Sequence, residues 1–257
     1  MTVRLIGWTH FDVLGAEEET GWTPDDDDMA ERSSNGSYLT EFAGRACYAS
    51  WSKPNPATAT NAGYMAHILE VGHESVLEHA VATVYITNVS RAFSHEMIRH
   101  RHISPSQLSQ RFVNLVGPNG PTSDDFVVPP LFEGDEEAIE VLHGVWKTAV
   151  EAYQRLVEMY EDRLSEAPVQ TITGRRKTIR EAARAVLPNM TPTALVLTGN
   201  HRAWRHFINL RAQYAADAEM RHVAIDVFHT LSRAFPALYQ DMRTVLGDQG
   251  FYVETVR

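Results

Sequence analysis

An α+β fold class is predicted for this 257-residue chain. Segments of strand character are few, and helical segments separate them. No internal repeat or linker divides the chain, so residues 1–257 read as a single domain.

In chain order, residues 3–8 (VRLIGW) have the composition of a short strand. Ala16 to Ser37 is acidic, small and polar, which predicts an exposed loop, mobile over about 14–36. Within it Asp25–Asp28 reads as solvated rather than metal-binding. Helices are predicted near 38–50 and 58–71, the second with Tyr64, Ile68 and Val71 on one stripe and Met65 beside it. Cys47 falls in helical apolar spacing, which predicts a buried thiol. Residues 80–90 are β-branched and partly alternating, as in a strand. Ser90 is a suitable N-cap for the helix RAFSHEMIRH, after which Pro105 predicts a turn. A Gly/Pro-rich loop (113–134), a long helix (about 135–165) and a connector (166–176) follow. RKTIREAARAVL is helical up to Pro188, TALVLT (193–198) is a strand, and GNHRAWRHFINLRAQ is helical. A last amphipathic helix, AEMRHVAIDVFHTLSRAF, puts Met220, Val223, Ala224, Val227 and Leu231 on one face.

Hydrophobic residues at 44% and charged residues at 22% suit a soluble globular protein. The net charge of -10 argues against wrapping a nucleic acid, which needs a broad basic surface. It leaves room for a local anion pocket. A single cysteine excludes an intramolecular disulfide and a cysteine-based zinc cluster. No apolar run reaches membrane-spanning length, and MTVRLIGWTH lacks the apolar core of a secretory signal. A cytoplasmic protein without membrane or nucleic-acid partners is expected.

Against that acidic background, RHRHISPSQLSQR gathers Arg99, Arg101 and Arg111 with His100 and His102. HEMIR resembles a zinc-protease helix, but Arg99 stands where the second ligand would be, and a guanidinium cannot ligate zinc. No metal site is expected. Arginine suits planar phosphate or carboxylate groups, and Ser104, Ser106, Gln107 and Ser109 supply neutral hydrogen-bonding groups. A solvated arginine patch is the plain alternative. Arg211 shares a helical stripe with Trp204, Phe207 and Ile208, so either a core carboxylate pairs it or a ligand does. Arg202, His206 and Asn209 lie on the opposite face. Arg184 in REAARAVLP has Glu181 three residues before it, an ordinary helical ion pair.

The pattern RHR, seven residues, then Ser, extended by Arg111, resembles the signature of the flavin-dependent thymidylate synthases. GHESVLEH, REAARAVLP and NHRAWRHFINLR are similar to further segments of that family, and the similarity covers about 72–112 and 176–235. The resemblance implies a helix-flanked antiparallel or mixed sheet and methylation of dUMP to dTMP. It also implies non-covalent FAD, with NADPH and 5,10-methylenetetrahydrofolate as co-substrates. Hydride would pass from reduced flavin to the uracil ring without an enzyme nucleophile. A homotetramer with active sites at subunit interfaces is implied as well.

By the same resemblance, His73, Ser75, Glu78, Arg99, His100, Arg101 and His102 contact flavin, as do Gln107, Asn200, Arg202 and His206. Glu96, Arg99, Gln107, Leu108, Ser109, Arg111 and Arg184 form the nucleotide pocket, with Arg111, Arg184 and the Ser109 turn on the phosphate. Arg211 faces the uracil, and Ser109 binds and polarises the nucleotide rather than attacking it. Ser106, Gln107 and His206 differ from the residues some members carry.

Overall fold

The computed structural model describes residues 1–24, 34–53, 55–114, 125–164 and 171–256. The run Asp25–Asp28, with parts of the 113–134 loop and of the 166–176 connector, lies outside them. The elements are β1 (Thr2–Trp8), α1 (Val13–Thr20), α2 (Ser34–Ala46), α3 (Asn61–Glu70), β2 (Val81–Ser90), α4 (Arg91–Met97) and β3 (Ile103–Gln107). They continue with α5 (Glu136–Arg163), α6 (Ile172–Ala183), β4 (Pro192–Asn200), α7 (His201–Arg211), α8 (Ala218–Ala234), α9 (Pro236–Tyr239), β5 (Met242–Gly247) and β6 (Gly250–Thr255). The class is α+β, as expected.

A four-stranded sheet has the order β1-β2-β4-β3, and β5 and β6 form an antiparallel hairpin. Two compact units are distinguished. The first comprises residue 1, 87–99 and 106–195; the second comprises 2–86, 100–105 and 196–257. In the first, α5 packs on α6. Trp146, Val150 and Tyr153 of α5 are buried, as are Ile179 and Ala183 of α6. In the second, α8 packs on α7 and β1, and its predicted face of Met220, Val223, Ala224, Val227 and Leu231 is buried throughout. Each larger side chain buried there contributes about 1.5–3 kcal/mol. Among the described residues no helix is long and apolar enough to cross a membrane.

Several local expectations need correction. Residues 13–20 are a helix, not part of a loop. Asp12 accepts the Gly15 N–H, and Gly21 closes the helix in the left-handed conformation (φ 69°), its N–H donating to Glu17. The acidic run EEE had masked these caps. Trp22 beyond it is fully buried, with ring centroids 5.9 Å from Phe11 and 5.6 Å from Phe42. Helix α2 begins and ends about four residues earlier than the expected 38–50. That leaves Cys47 past its last residue and exposed, not buried. Val71 caps α3 and is exposed, whereas Tyr64, Met65 and Ile68 of the predicted stripe are buried.

Pro105 does not turn the chain. It lies within β3, the edge of the four-stranded sheet, where a missing N–H leaves no inner ladder bond unmade. The sequence reading also stopped short of the β5–β6 hairpin and began α6 four residues late. Gly199 of β4 lies in close approach to two side chains. An added Cβ would sit 3.1 Å from Ile103 Cγ1 and 3.4 Å from Trp204 Nε1.

A buried ion pair ties α2 to its surroundings. Glu41 and Arg45 pair at 2.6 Å with side chains 0% and 2% exposed. Arg45 also donates to the Thr58 carbonyl at 2.6 Å, and Asn61 Nδ2 donates to Glu41 at 2.9 Å. Replacing Glu41 alone with Met should destabilise the fold by about 3–5 kcal/mol, because Arg45 is left buried without a counter-charge. The double replacement Glu41→Met with Arg45→Met should cost less than that single change. Urea unfolding of the three proteins checks the order.

Candidate functional site

In the first unit, Ser90 Oγ caps α4 by accepting the Phe93 N–H at 3.0 Å. Arg91 is the first helical residue, at a helix end where the dipole disfavours a cation. It is half-buried, and burial and then the Arg184 charge lower its pKa. The sequence reading did not single it out. A cation on the first turn of a capped helix was the available signal. Glu96 is half-buried and Arg99 exposed at the end of this helix.

The chain then leaves β3 into a turn. Gln107 Nε2 donates to Thr193 Oγ1 at 3.2 Å, and the Leu108 N–H donates to the Ala194 carbonyl at 2.9 Å. Ser109 Oγ accepts the Arg111 N–H at 3.3 Å, and its carbonyl accepts the Val113 N–H at 3.0 Å. Arg111 pairs with Glu181 at 2.6 Å, so Glu181 does not serve Arg184 as the helical spacing suggested. Both partners are partly exposed, and such a pair is worth little in itself. Arg111 Nε, by contrast, is buried without a hydrogen-bond partner among the described residues. The first unit thus brings Gln107, Leu108, Ser109 and Arg111 into one turn. It also sets Arg184 against Arg91 with like charges. Each of these features suits a dianion: two like-charged arginines, a buried N–H unmet among the described residues, and neutral donors on a turn.

In the second unit, His73, Ser75 and Glu78 are exposed on or beside the 3-10 turn Glu74–Glu78. Glu78 accepts from Arg202 on α7. Asn200 caps α7, its Oδ1 accepting the Ala203 N–H at 2.8 Å. Arg202 and His206 are exposed one turn apart, as expected, and so are Arg101 and His102. These exposed cations and amide groups have the donor chemistry to hold a phosphate-bearing cofactor with a planar ring system.

Two residues of this unit turn inward. His100 and Arg211 are half-buried, and Arg211 Nε donates to His100 Nε2 at 2.9 Å. The His100 ring meets Phe207 edge-on at 5.0 Å. Burial, then the charges of Arg211 and His206, lower its pKa to about 4, so it is neutral at pH 7.

Further contacts anchor α7, and those of Arg205, His201 and Tyr239 carried no sequence signal. Trp204 Nε1 donates to the Ala82 carbonyl at 3.0 Å. Arg205, 3% exposed, donates to both carboxylate oxygens of Asp241 at 2.7 and 2.6 Å and to the Leu238 carbonyl at 2.7 Å. His201 Nδ1 lies 2.9 Å from the Tyr239 hydroxyl, and both residues are buried. Burial, then the Arg205 charge, lower the His201 pKa to about 3; burial raises that of Tyr239.

Residues 29–237 match the family model described as thymidylate synthase complementing protein. A protein of Mycolicibacterium vanbaalenii named flavin-dependent thymidylate synthase is 48% identical over 256 residues, covering 99% of this chain and 95% of that protein. Its namesake in Mycobacterium tuberculosis is 48% identical over 250 residues, covering 96% and 92%. One from Mycobacteroides abscessus is 50% identical over 219 residues, covering 85% and 84%.

The buried imidazole of α7 predicts a pH dependence. His201 titrates near 3 when folded and near 6.5 when unfolded, so the unfolded chain takes the proton first as pH falls. Its contribution is complete above about pH 6.5 and declines toward pH 3, by up to about 1.4 kcal/mol per pH unit. The urea midpoint should therefore fall between pH 6.5 and 4.5. The His201→Gln protein should be less stable at pH 7 yet show a flatter acid limb.

Proposed function

The chain belongs to the flavin-dependent thymidylate synthase family, and on that premise we propose that it methylates dUMP to dTMP. 5,10-Methylenetetrahydrofolate is the carbon donor, and NADPH is the source of electrons. The observation that carries the reading is the Gln107–Arg111 turn. There Arg111 Nε is buried without a hydrogen-bond partner among the described residues, and in the same unit the Arg91 and Arg184 charges are mutually unfavourable. A nucleotide phosphate meets both needs. Arg111, Arg184 and the Ser109 turn hold it, and Arg91 adds a further cation. Glu96, Arg99, Gln107 and Leu108 complete the nucleotide pocket.

FAD, bound non-covalently, supplies the hydride delivered to the uracil ring. His73, Ser75 and Glu78 would hold it together with Arg99, Arg101 and His102. Gln107 and the α7 residues Asn200, Arg202 and His206 complete that set. Arg99, Arg101, His102 and Arg202 are exposed on a single chain. That exposure supports a homotetramer whose active sites are completed at subunit interfaces. All 257 residues then act as one catalytic domain, in the cytoplasm.

Arg211 stabilises the negative charge that develops on the uracil carbonyl oxygens. Ser109 binds and polarises the nucleotide. Its hydroxyl accepts from the Arg111 backbone, and among the described residues no imidazole bonds it, which supports binding rather than attack.

Purified protein should be yellow, with about one FAD per chain, and should oxidise NADPH only when dUMP and the folate are present. Colourless protein that fails to take up added FAD would sink the proposal. Arg111→Ala should weaken dUMP binding about tenfold to a hundredfold while flavin content stays unchanged. Intact-protein mass spectrometry after quenching should find no nucleotide on Ser109; such an adduct would refute the absence of an enzyme nucleophile.

A further inference from the structure

His100 is the middle residue of the Arg99–Arg101 triplet, yet it does not share the exposure of its two neighbours. Its ring touches two residues of α7 that lie one helical turn apart. The edge-on contact with Phe207, planes at 83°, restricts ring rotation. Nε2 lies 2.9 Å from Arg211 Nε. An arginine only donates, so Nε2 accepts and the ring proton resides on Nδ1.

We infer that His100 is a positioning residue for Arg211, holding the guanidinium by its Nε edge. The bond to His100 is made through Nε alone. The long arginine stem loses its rotamer freedom before the nucleotide arrives, so the substrate need not meet that ordering cost. His100 must be uncharged to accept. Its titratable and charged neighbours on α7, His206 and Arg211, both favour that state, as does its burial. The inference rests on the proposed role of Arg211 at the uracil ring, and it separates His100 from the flavin-lining role of Arg99 and Arg101.

The test uses the FAD-loaded protein and a contrast of acceptors. His100→Gln carries an amide oxygen about as far along the side chain as Nε2. His100→Asn is equally polar but too short, and His100→Phe keeps the ring without the acceptor. The Asn and Phe variants should lose about 100-fold in kcat/KM for dUMP and bind dUMP more weakly by calorimetry, at unchanged flavin content. His100→Gln should recover at least about tenfold of that loss. Wild-type dUMP affinity in the Asn and Phe variants would overturn the inference. So would a Gln variant no better than Asn, or a loss confined to flavin content. Failure of the underlying reading looks different: the wild-type protein itself would neither bind nor turn over dUMP, and the inference would fall with it.

Discussion

A buried guanidinium must be met by counter-charge and hydrogen bonds, and Arg205 imposes that demand on α7. Its two bonds to Asp241 and one to the Leu238 carbonyl are directional, unlike an apolar contact. Together with the His201–Tyr239 bond and the Trp204 bond to Ala82, they set the rotation of the helix about its axis. A rotation of one residue would break several at once and strand a charge inside the unit. With that side committed, Arg202 and His206 have nowhere to go but outward. Arg211, six residues beyond Arg205 on the same helix, comes to His100.

The same logic of charge runs the other way in the first unit. Here cations are brought together without enough partners. Glu181 answers one edge of Arg111, while its Nε is left unmet among the described residues and Arg91 stands within reach of the Arg184 field. Arg91 also sits at the helix end least suited to it. A folded protein retains such local conflict where a ligand resolves it. The acidic chain as a whole is consistent with this reading, because a small pocket needs local charge and not a basic surface.

Much of the fold was legible because its signals are local. Helical period and caps announced α4, α7 and α8, and the buried face of α8 matched residue for residue. What misled was local too, but judged by composition. Acidic composition predicts a loop at α1, yet Asp12 and Gly21 delimit a helix there, and Pro105 predicts a turn, yet an edge strand tolerates it. The hairpin β5–β6 went unread, and Cys47 was placed inside when α2 stops short of it.

The site divides along the same line. Residue type and spacing in RHR-x7-S, GHESVLEH and NHRAWRHFINLR were enough to mark the family, since chemistry demands particular side chains at particular intervals. Which partner each side chain takes could not be read there. That Glu181 serves Arg111, that Arg91 joins Arg184, and that His100 turns inward to Arg211 depend on contacts between segments far apart in the chain. Charge pairing acts through space over a few ångströms, whereas sequence spacing reports only neighbours along one element.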